Sequence, residues 1–199
     1  RTAANDRTAD LSRRHAVRRS EGGLVTVTGG KLTTYRRMAA DTVDEVDALL
    51  GKRRRCRTKH LKLIGADGYE DPPDANEPSR HVHLAHRYGT EGAEVEALLD
   101  EEPALGEPLV PGLPYLKAEA VHAVRSEMAR TLDDVLTRRT RARLLARDDS
   151  AAAAEDAAAL VGRELGWDDA ERVRQVKEYR AAVAAERDAA DLPETALGT

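Results

Sequence analysis

The residues best suited to chemistry are Gly29, Gly30 and Lys31, which stand between a strand signal and a helix signal. The preceding run, Leu-Val-Thr-Val-Thr, is rich in β-branched residues and favours a short strand over 24–28. Glycines permit close approach to backbone N–H groups, and a helix that starts directly afterwards turns its positive end toward the same point. Lys31 adds a full positive charge there. The pattern predicts a cradle for an anionic or electron-rich group, with a purely structural turn as the alternative.

Two further elements are predicted to hold this turn in place. A polar turn over 19–23, which contains Glu-Gly-Gly, predicts that 11–17 pairs with the strand 24–28 as a hairpin. Thr33 or Thr34 can cap the helix that follows. Apolar residues at spacings of three and four then give that helix one apolar stripe before a glycine ends it: Leu32, Tyr35, Ala39, Val43, Val46 and Leu50.

The rest of the chain changes character along its length. A basic run over 52–59 is interpreted as a solvated loop, with a surface for nucleic acid or membrane as the alternative. The alternation of 60–64 predicts one more strand. The proline-rich stretch 71–78 suits a linker, and helix-forming residues dominate beyond it. These patterns predict an α+β fold, with strands and a helix over 1–70 and an all-α bundle over 79–199.

Helices of the predicted bundle are delimited by their end signals. They are expected over 79–88, 91–100, 117–129 and 151–165, with one more from Thr131 and a last one from Asp168. On the third of these helices, Met128 is predicted to lie on the apolar side with three other residues: Ala120, Val121 and Val124. Thr131 and Asp134 resemble a capping box in which aspartate replaces glutamate.

Composition limits the class of protein. The chain has 199 residues and 41% hydrophobic content, enough for one or two packed domains. A net charge of -4 lacks the basic footprint of a nucleic-acid-binding protein, and no apolar run is long enough to span a membrane. The single cysteine, Cys56, excludes an internal disulfide and fits a reducing compartment. The polar opening without methionine predicts that the chain comes from the middle of a longer protein.

Three histidines in one predicted helix are the candidate metal ligands. His83 and His86 are three residues apart and can share a face, whereas His81 lies on another. No cysteine or carboxylate cluster completes a ligand set, so a solvated or salt-bridging surface is predicted and no metal is assigned.

Charged side chains elsewhere in the second half are predicted to pair with one another. The arginines at 138, 139, 141, 143 and 147 are bracketed by aspartates at 133, 134, 148 and 149, which favours internal ion pairs over phosphate binding. Glu119, Arg125 and Glu127 stand among apolar neighbours, so a structural polar network between helices is predicted for them.

Residues 29–36, Gly-Gly-Lys-Leu-Thr-Thr-Tyr-Arg, resemble a segment of the flavin-dependent glycerol-3-phosphate dehydrogenases. The similarity extends upstream to 11–17 and downstream to 38–44. The second half is similar to that family's helical C-terminal domain, most clearly at three stretches: 110–121, 127–136 and 138–141. The resemblance covers nearly the whole chain, and it implies the C-terminal portion of such an enzyme.

The resemblance also implies roles for individual residues. Lys31 would be the catalytic residue, beside both flavin and substrate, where it stabilises negative charge. Arg13 would bind the substrate phosphate with its planar guanidinium. Five consecutive residues would contact the isoalloxazine end of FAD: Gly29, Gly30, Lys31, Leu32 and Thr33.

The family reaction oxidises sn-glycerol 3-phosphate to dihydroxyacetone phosphate by hydride transfer to FAD, and electrons then pass to quinone. The resemblance thus implies a cytoplasmic enzyme without a nucleic-acid partner. It also allows the full enzyme to form homo-oligomers and to attach peripherally to the inner face of the cytoplasmic membrane. The family's dinucleotide-binding βαβ unit, second substrate arginine and histidine are absent from this sequence. Little FAD binding and no turnover are therefore expected of this chain alone. A glycerol-3-phosphate oxidase that uses O2, and a helical interaction module without activity, remain the alternatives.

Overall fold

The computed structural model describes residues 14–73, 76 and 79–190. The chain divides into two compact units, Arg1–Leu63 and Ile64–Thr199. A small hairpin and one long helix make up the described part of the first unit, and the second is helical, which confirms the predicted α+β class. The predicted domain limits at 70 and 78 stay predictions.

The hairpin of the first unit is formed by β1 (Ala16–Arg19) and β2 (Val25–Thr28). The strands are antiparallel, in a register that places Ala16 opposite Thr28. Ser20 closes the connecting turn through its N–H and its hydroxyl oxygen, with hydrogen bonds of 2.9 and 3.1 Å to the backbone four residues later. The predicted hairpin is present, but its first strand is 16–19 instead of the predicted 11–17, of which residues 11–13 lie outside the described residues.

Helix α1 (Tyr35–Leu49) follows a short 3-10 turn, Leu32–Thr34. Gly51 has a φ of 65°, so it adopts the left-handed conformation that ends helices, as predicted. The apolar stripe is present on this helix and its preceding turn. Its larger side chains are nevertheless exposed: Leu32, Tyr35, Val43, Val46 and Leu50.

The predicted strand over 60–64 is wrong. Thr58–His60 form a single 3-10 turn, and the residues after it adopt no regular structure. A strand needs a neighbour that satisfies its backbone hydrogen bonds, and the sheet in the described residues contains β1 and β2 alone. Leu61 and Leu63 are accordingly 73% and 72% exposed.

The second unit is built from seven helices and one π-helical turn within the described residues. They are α2 (Arg80–Tyr88), α3 (Gly92–Glu101), α4 (Lys117–Arg125), the π-helical turn Asp134–Arg139, α5 (Ala142–Leu145), α6 (Arg147–Ala152), α7 (Ala154–Leu165) and α8 (Asp169–Ala190). Sequence predicted α2 and α3 to within one residue. Ser79 caps α2, since its hydroxyl oxygen accepts from the N–H of Val82 at 3.2 Å.

Helix α4 ends at Arg125, earlier than the predicted 129. The N–H of Ala129 donates to the carbonyl of Ala123 at 2.9 Å, and Met128 between them has a φ of 60°. The chain turns back over the end of the helix here, and methionine adopts the left-handed conformation that glycine usually takes after a helix. The prediction that Met128 lies on the apolar side is therefore wrong, and its side chain is 77% exposed.

Local end signals later in the chain are confirmed. The hydroxyl of Thr131 accepts from the N–H of Asp134, and the carboxylate of Asp134 accepts from the N–H of Thr131, both at 3.0 Å. Asp168 likewise caps α8 by accepting from the N–H of Glu171 at 2.7 Å. The predicted helix 151–165 is interrupted at Ala153, where the chain passes from α6 to α7.

Two hydrophobic clusters form the core of the second unit. The larger joins α4, the π-helical turn, α7 and α8 around Leu132, Leu136 and Val161. The smaller joins α2, α3 and α4 around Leu84 and Val95. Among the described residues, no helix combines the length and the apolar character that crossing a membrane requires.

Candidate functional site

The glycine pair of the candidate site is required by the fold itself. Gly29 has a φ of 73°, and a Cβ there would lie 2.6 Å from the carbonyl oxygen of Arg14. Gly30 has a φ of 85°, and a Cβ there would lie 2.9 Å from Cε of Met38 and closer still to its sulfur. The pair lets the chain turn between the start of β1 and the first turns of α1. Packing therefore explains why these positions are glycines, and the side-chain chemistry of the turn falls to the residues after them.

Thr34 orders the turn that follows the glycines. Its hydroxyl accepts from the N–H of Lys31 at 3.1 Å and donates to the carbonyl oxygen of Lys31 at 2.9 Å. Thr34 occupies the N-cap position of α1, one of the two predicted positions. Its hydroxyl points back to Lys31 and makes no capping bond into the helix, which corrects that prediction.

Lys31, Leu32 and Thr33 form the open face of the turn. All three are exposed, with Leu32 at 87%. Lys31 makes no ion pair with another described residue, and the N–H groups of Leu32 and Thr33 have no acceptor in the described part of the chain. One ammonium group and two N–H donors at the start of a helical turn favour an anionic or electron-rich group.

A histidine–aspartate pair lies directly behind this turn. Nε2 of His15 is 2.8 Å from Oδ2 of Asp41, and Nε of Arg37 is 3.0 Å from Oδ1. The hydrogen bond from His15, followed by the charge of Arg37, holds the pKa of Asp41 below its usual value, although partial burial acts in the opposite direction. The pair joins the start of the hairpin to α1 beside Gly30.

This pair could not be predicted from the sequence because 26 residues separate its members. The one available signal was that His15 and Asp41 both lie in stretches that carry the family resemblance. Arg13, predicted to bind the substrate phosphate, lies outside the described residues. Its neighbour Arg14 has its carbonyl against Gly29.

Two of the three histidines of α2, His81 and His83, take separate partners. Nδ1 of His81 lies 3.1 Å from the exposed carboxylate of Glu96, which confirms a salt-bridging surface there. His83 instead turns inward toward Glu119. The described ranges contain no group of three or more histidine, cysteine, aspartate or glutamate side chains placed to hold a metal ion.

The predicted ion pairing of the arginine run with its bracketing aspartates is confirmed at three of its members. Arg138 pairs with Asp133, and Arg143 lies 3.3 Å from the same carboxylate. Arg147 lies 3.0 Å from Asp148. Asp133 thus joins the start of the π-helical turn to a residue within the turn and to α5.

Glu119 is the centre of a buried polar cluster between α2 and α4. It has no exposed surface, and its carboxylate lies 2.8 Å from Nε of Arg87 and 3.0 Å from Nε2 of His83. The hydroxyl of Tyr88 donates at 3.0 Å and the N–H of Leu116 at 2.7 Å. Every lone-pair direction of the carboxylate is used, so the cluster has a structural role.

The predicted network of three charged residues is in fact three separate contacts. Glu119 belongs to the buried cluster just described. Arg125 on α4 pairs with Glu164 on α7 at 2.7 Å. The carbonyl oxygen of Glu127 accepts from Arg139 at 2.7 Å, which fastens the end of α4 to the π-helical turn.

The sequence model for the C-terminal domain of alpha-glycerophosphate oxidase matches residues 56–172, more than half of the chain. The chain belongs to this family. The match lies almost wholly in the second unit and includes the Glu119 cluster, the capping box and the π-helical turn. The resemblance inferred from the motifs is confirmed.

Glycerol-3-phosphate dehydrogenases are similar to the chain over most of its length. Glycerol-3-phosphate dehydrogenase 2 of Mycobacterium tuberculosis is 38% identical over 192 residues, which are 92% of this chain and 33% of the relative. The enzyme of Mycobacterium leprae is 39% identical with the same coverage. A probable mitochondrial glycerol-3-phosphate dehydrogenase of Dictyostelium discoideum is 34% identical, over 85% of this chain and 28% of the relative. The chain thus spans about a third of the length of these relatives.

One solved structure with the same fold is the glycerol-3-phosphate dehydrogenase from Bacillus halodurans complexed with FAD. The TM-score is 0.66 at 26% identity, over 84% of this chain and 36% of that chain. The fold of this chain is therefore similar to that of about a third of this FAD-complexed enzyme.

Proposed function

We propose that the chain is the C-terminal part of an FAD-dependent enzyme that oxidises sn-glycerol 3-phosphate to dihydroxyacetone phosphate. The observation that carries the proposal is the open turn of Lys31, Leu32 and Thr33, which are exposed and whose ammonium and two N–H groups have no partner among the described residues. The relatives named as glycerol-3-phosphate dehydrogenases, one of them complexed with FAD, support the choice of substrate and cofactor.

The described residues fit the edge of a flavin. Gly29 and Gly30 fix the path of the turn, and Leu32 offers an exposed apolar side chain beside two N–H donors. When bound, FAD supplies the acceptor for the hydride that leaves C2 of the substrate. Gly29, Gly30, Lys31, Leu32 and Thr33 are the proposed cofactor contacts.

Lys31 is the proposed catalytic residue. Its ammonium group would stabilise negative charge on the C2 oxygen as the hydroxyl proton passes to solvent, or negative charge on the cofactor when it is bound. Thr34 fixes the Lys31 backbone from both sides, so that the side chain starts from a defined point. The proposed role requires a charged lysine close to the reacting carbon.

Arg13 is the proposed phosphate-binding residue. The carbonyl of the next residue, Arg14, packs on Gly29, which brings this part of the chain to the glycine turn. A planar guanidinium binds a phosphate with two parallel hydrogen bonds. Arg13 and Lys31 would then hold the two ends of the same small substrate.

Quinone is the proposed electron acceptor, as part of a cytoplasmic enzyme that attaches peripherally to the membrane and associates with a second copy. The name of the matching domain family, alpha-glycerophosphate oxidase, favours O2 as the second candidate. Acceptor kinetics on a complete protein separate the two, because an oxidase produces hydrogen peroxide in step with dihydroxyacetone phosphate. A dehydrogenase reduces a quinone analogue and leaves O2 unconsumed.

A chimaera tests the proposal. This chain replaces the matching third of Mycobacterium tuberculosis glycerol-3-phosphate dehydrogenase 2, and the isolated chain serves as the comparison. The chimaera is expected to be yellow and to reduce a dye with glycerol 3-phosphate, and the isolated chain is expected to be colourless and inactive. A flavin spectrum and dye reduction by the isolated chain, or a folded chimaera without flavin, would contradict the proposal.

A further inference from the structure

Charge is divided unequally between the two units. Residues 1–63 contain 16 lysines and arginines against 7 aspartates and glutamates, whereas residues 64–199 contain 16 against 29. The modest net charge of the whole chain conceals a strongly basic first unit and an acidic second unit. Such asymmetry points to an anionic partner for the first unit.

The basic charge of the first unit is concentrated in one segment that returns along α1. Arg54 binds Asp47 near the end of that helix with hydrogen bonds of 2.5 and 3.1 Å. Thr58 accepts from Arg36 near its beginning, at 3.4 Å. Arg36 and Asp47 are about three turns apart and therefore share a face of α1. Residues 52–63, named the basic segment here, are thus fastened to the helix at two points.

Most cations of the basic segment are left without a carboxylate. Arg54 is the member that pairs with Asp47. Five others are exposed and make no ion pair with any residue in the described ranges: Lys52, Arg53, Arg55, Arg57 and Lys59. Cations held this close together repel one another, and an anionic surface relieves that repulsion.

Apolar side chains accompany these cations. Leu61 and Leu63 end the basic segment, and both are among the most exposed leucines of the described chain. Large exposed apolar groups beside a cluster of cations are the combination that binds the boundary between lipid headgroups and acyl chains. The segment contains no Phe, Tyr or Trp on which a nucleic-acid base could stack.

We propose that the basic segment is a docking surface for an anionic lipid bilayer. Its cations contact the headgroups, and Leu61 and Leu63 enter the boundary below them. The proposal identifies a surface for the peripheral attachment that forms part of the proposed function. Binding to a bilayer through this segment needs neither flavin nor substrate. The docking proposal can therefore fail while the catalytic proposal stands, and the catalytic proposal can fail while the docking proposal stands.

Flotation of the full 199-residue chain with vesicles tests the proposal. One vesicle contains phosphatidylcholine and phosphatidylglycerol in equal parts, and the other phosphatidylcholine alone. The chain is expected to float with the vesicle that contains phosphatidylglycerol and not with the other, and to dissociate from it as the salt concentration rises. A variant with Arg53, Arg55 and Arg57 each changed to Gln is expected to bind on the order of a hundredfold more weakly, at about fivefold per cation.

A matched variant controls for net charge. Changing Arg130, Arg141 and Lys177 to Gln removes the same charge from exposed positions of the second unit, and affinity is expected to stay within about twofold because those charges are screened. Unchanged circular dichroism spectra establish that each variant is folded.

A second pair of variants tests the leucines. Changing Leu61 and Leu63 to Ser is expected to weaken binding to the anionic vesicle by about tenfold or more, whereas Leu144→Ser, at an equally exposed leucine of the second unit, is expected to have no effect.

Three results would overturn the proposal. The first is that the unaltered chain does not float with the anionic vesicle. The second is that the two triple variants lose the same affinity for it, and the third is that the chain binds single-stranded RNA without binding the vesicle.

Discussion

The carboxylate of Glu119 lies 2.8 Å from Nε of Arg87, inside the second unit. Glu119 has no exposed surface, and the Arg87 side chain is mostly buried with it. The contact joins α4 to α2, and His83 and Tyr88 complete it from the same helix. Because removal of one member leaves the other charged and buried, this pair is expected to be the most sensitive point of the unit.

Glu119→Gln is therefore expected to lower the free energy of unfolding of the second unit by about 3–5 kcal/mol. Urea unfolding followed by fluorescence measures it, since Trp167, the one tryptophan of the chain, packs against the core of that unit. Glu96→Gln is the matched control, because Glu96 meets His81 at the surface, and it is expected to cost less than about 0.5 kcal/mol. Equal losses in the two variants would contradict the assignment.

Tyr88 is expected to make the second unit less stable in alkali. Burial, and then the negative charge of Glu119, raise the pKa of Tyr88 above its ordinary value. The unfolded tyrosine loses its proton at about pH 10 while the folded one keeps it, so stability falls as pH rises above that value.

Unfolding free energies of Tyr88→Phe across the alkaline range measure this effect. The variant is expected to show a shallower decline than the unaltered chain, and burial of Tyr179, whose pKa is also raised, accounts for part of the decline that remains. Tyr35→Phe, at an exposed ring of the first unit, is expected to leave the decline as it was. An identical decline in Tyr88→Phe would show that this phenol does not cause it.

Gly30→Ala is expected to destabilise the first unit through a clash as well as through backbone strain. Gly30 and Gly23 have the same φ of 85°, but a Cβ at Gly23 meets nothing within 4 Å. Gly23→Ala should therefore cost about 1–2 kcal/mol from strain, and Gly30→Ala about 1–3 kcal/mol more from crowding against Met38. Hydrogen exchange of the β1 and β2 amides reports both losses.

Adding Met38→Ala to each glycine variant isolates the clash. It is expected to recover part of the loss in Gly30→Ala and none of the loss in Gly23→Ala, since the methionine lies against Gly30 alone of the two. Equal costs for the two glycine variants would show that the close approach at Gly30 does not matter.

Local features of this chain could be predicted from sequence because the residues that make them are close along the chain. The partners of the capping box, Thr131 and Asp134, are three positions apart in sequence, as are Ser79 and Val82 in the cap of α2. Gly51 ends its helix through its own backbone conformation. The glycine turn of the candidate site was predicted for the same reason, since strand, glycines and helix follow one another directly.

Features that depend on distant partners could not be predicted. The alternation of polar and apolar residues over 60–64 predicts a strand. A strand also requires a neighbouring strand to pair with, and the sequence pattern does not show whether one is present. The pairing of His15 with Asp41 and the burial of Glu119 beside Arg87 join residues more than twenty positions apart. Met128 turns a helix end in the place of a glycine, against the conformational preference of its type.

Lys31 gives the most direct test of the account. In the chimaera with the Mycobacterium tuberculosis enzyme, Lys31→Met is expected to retain flavin and to lower kcat by about a hundredfold to a thousandfold, because the variant lacks the charge that the proposed function places at the reacting oxygen. Lys177→Met, at an exposed lysine of the second unit, serves as the control and is expected to turn over normally. A Lys31→Met chimaera with full flavin and unchanged kcat would contradict the account.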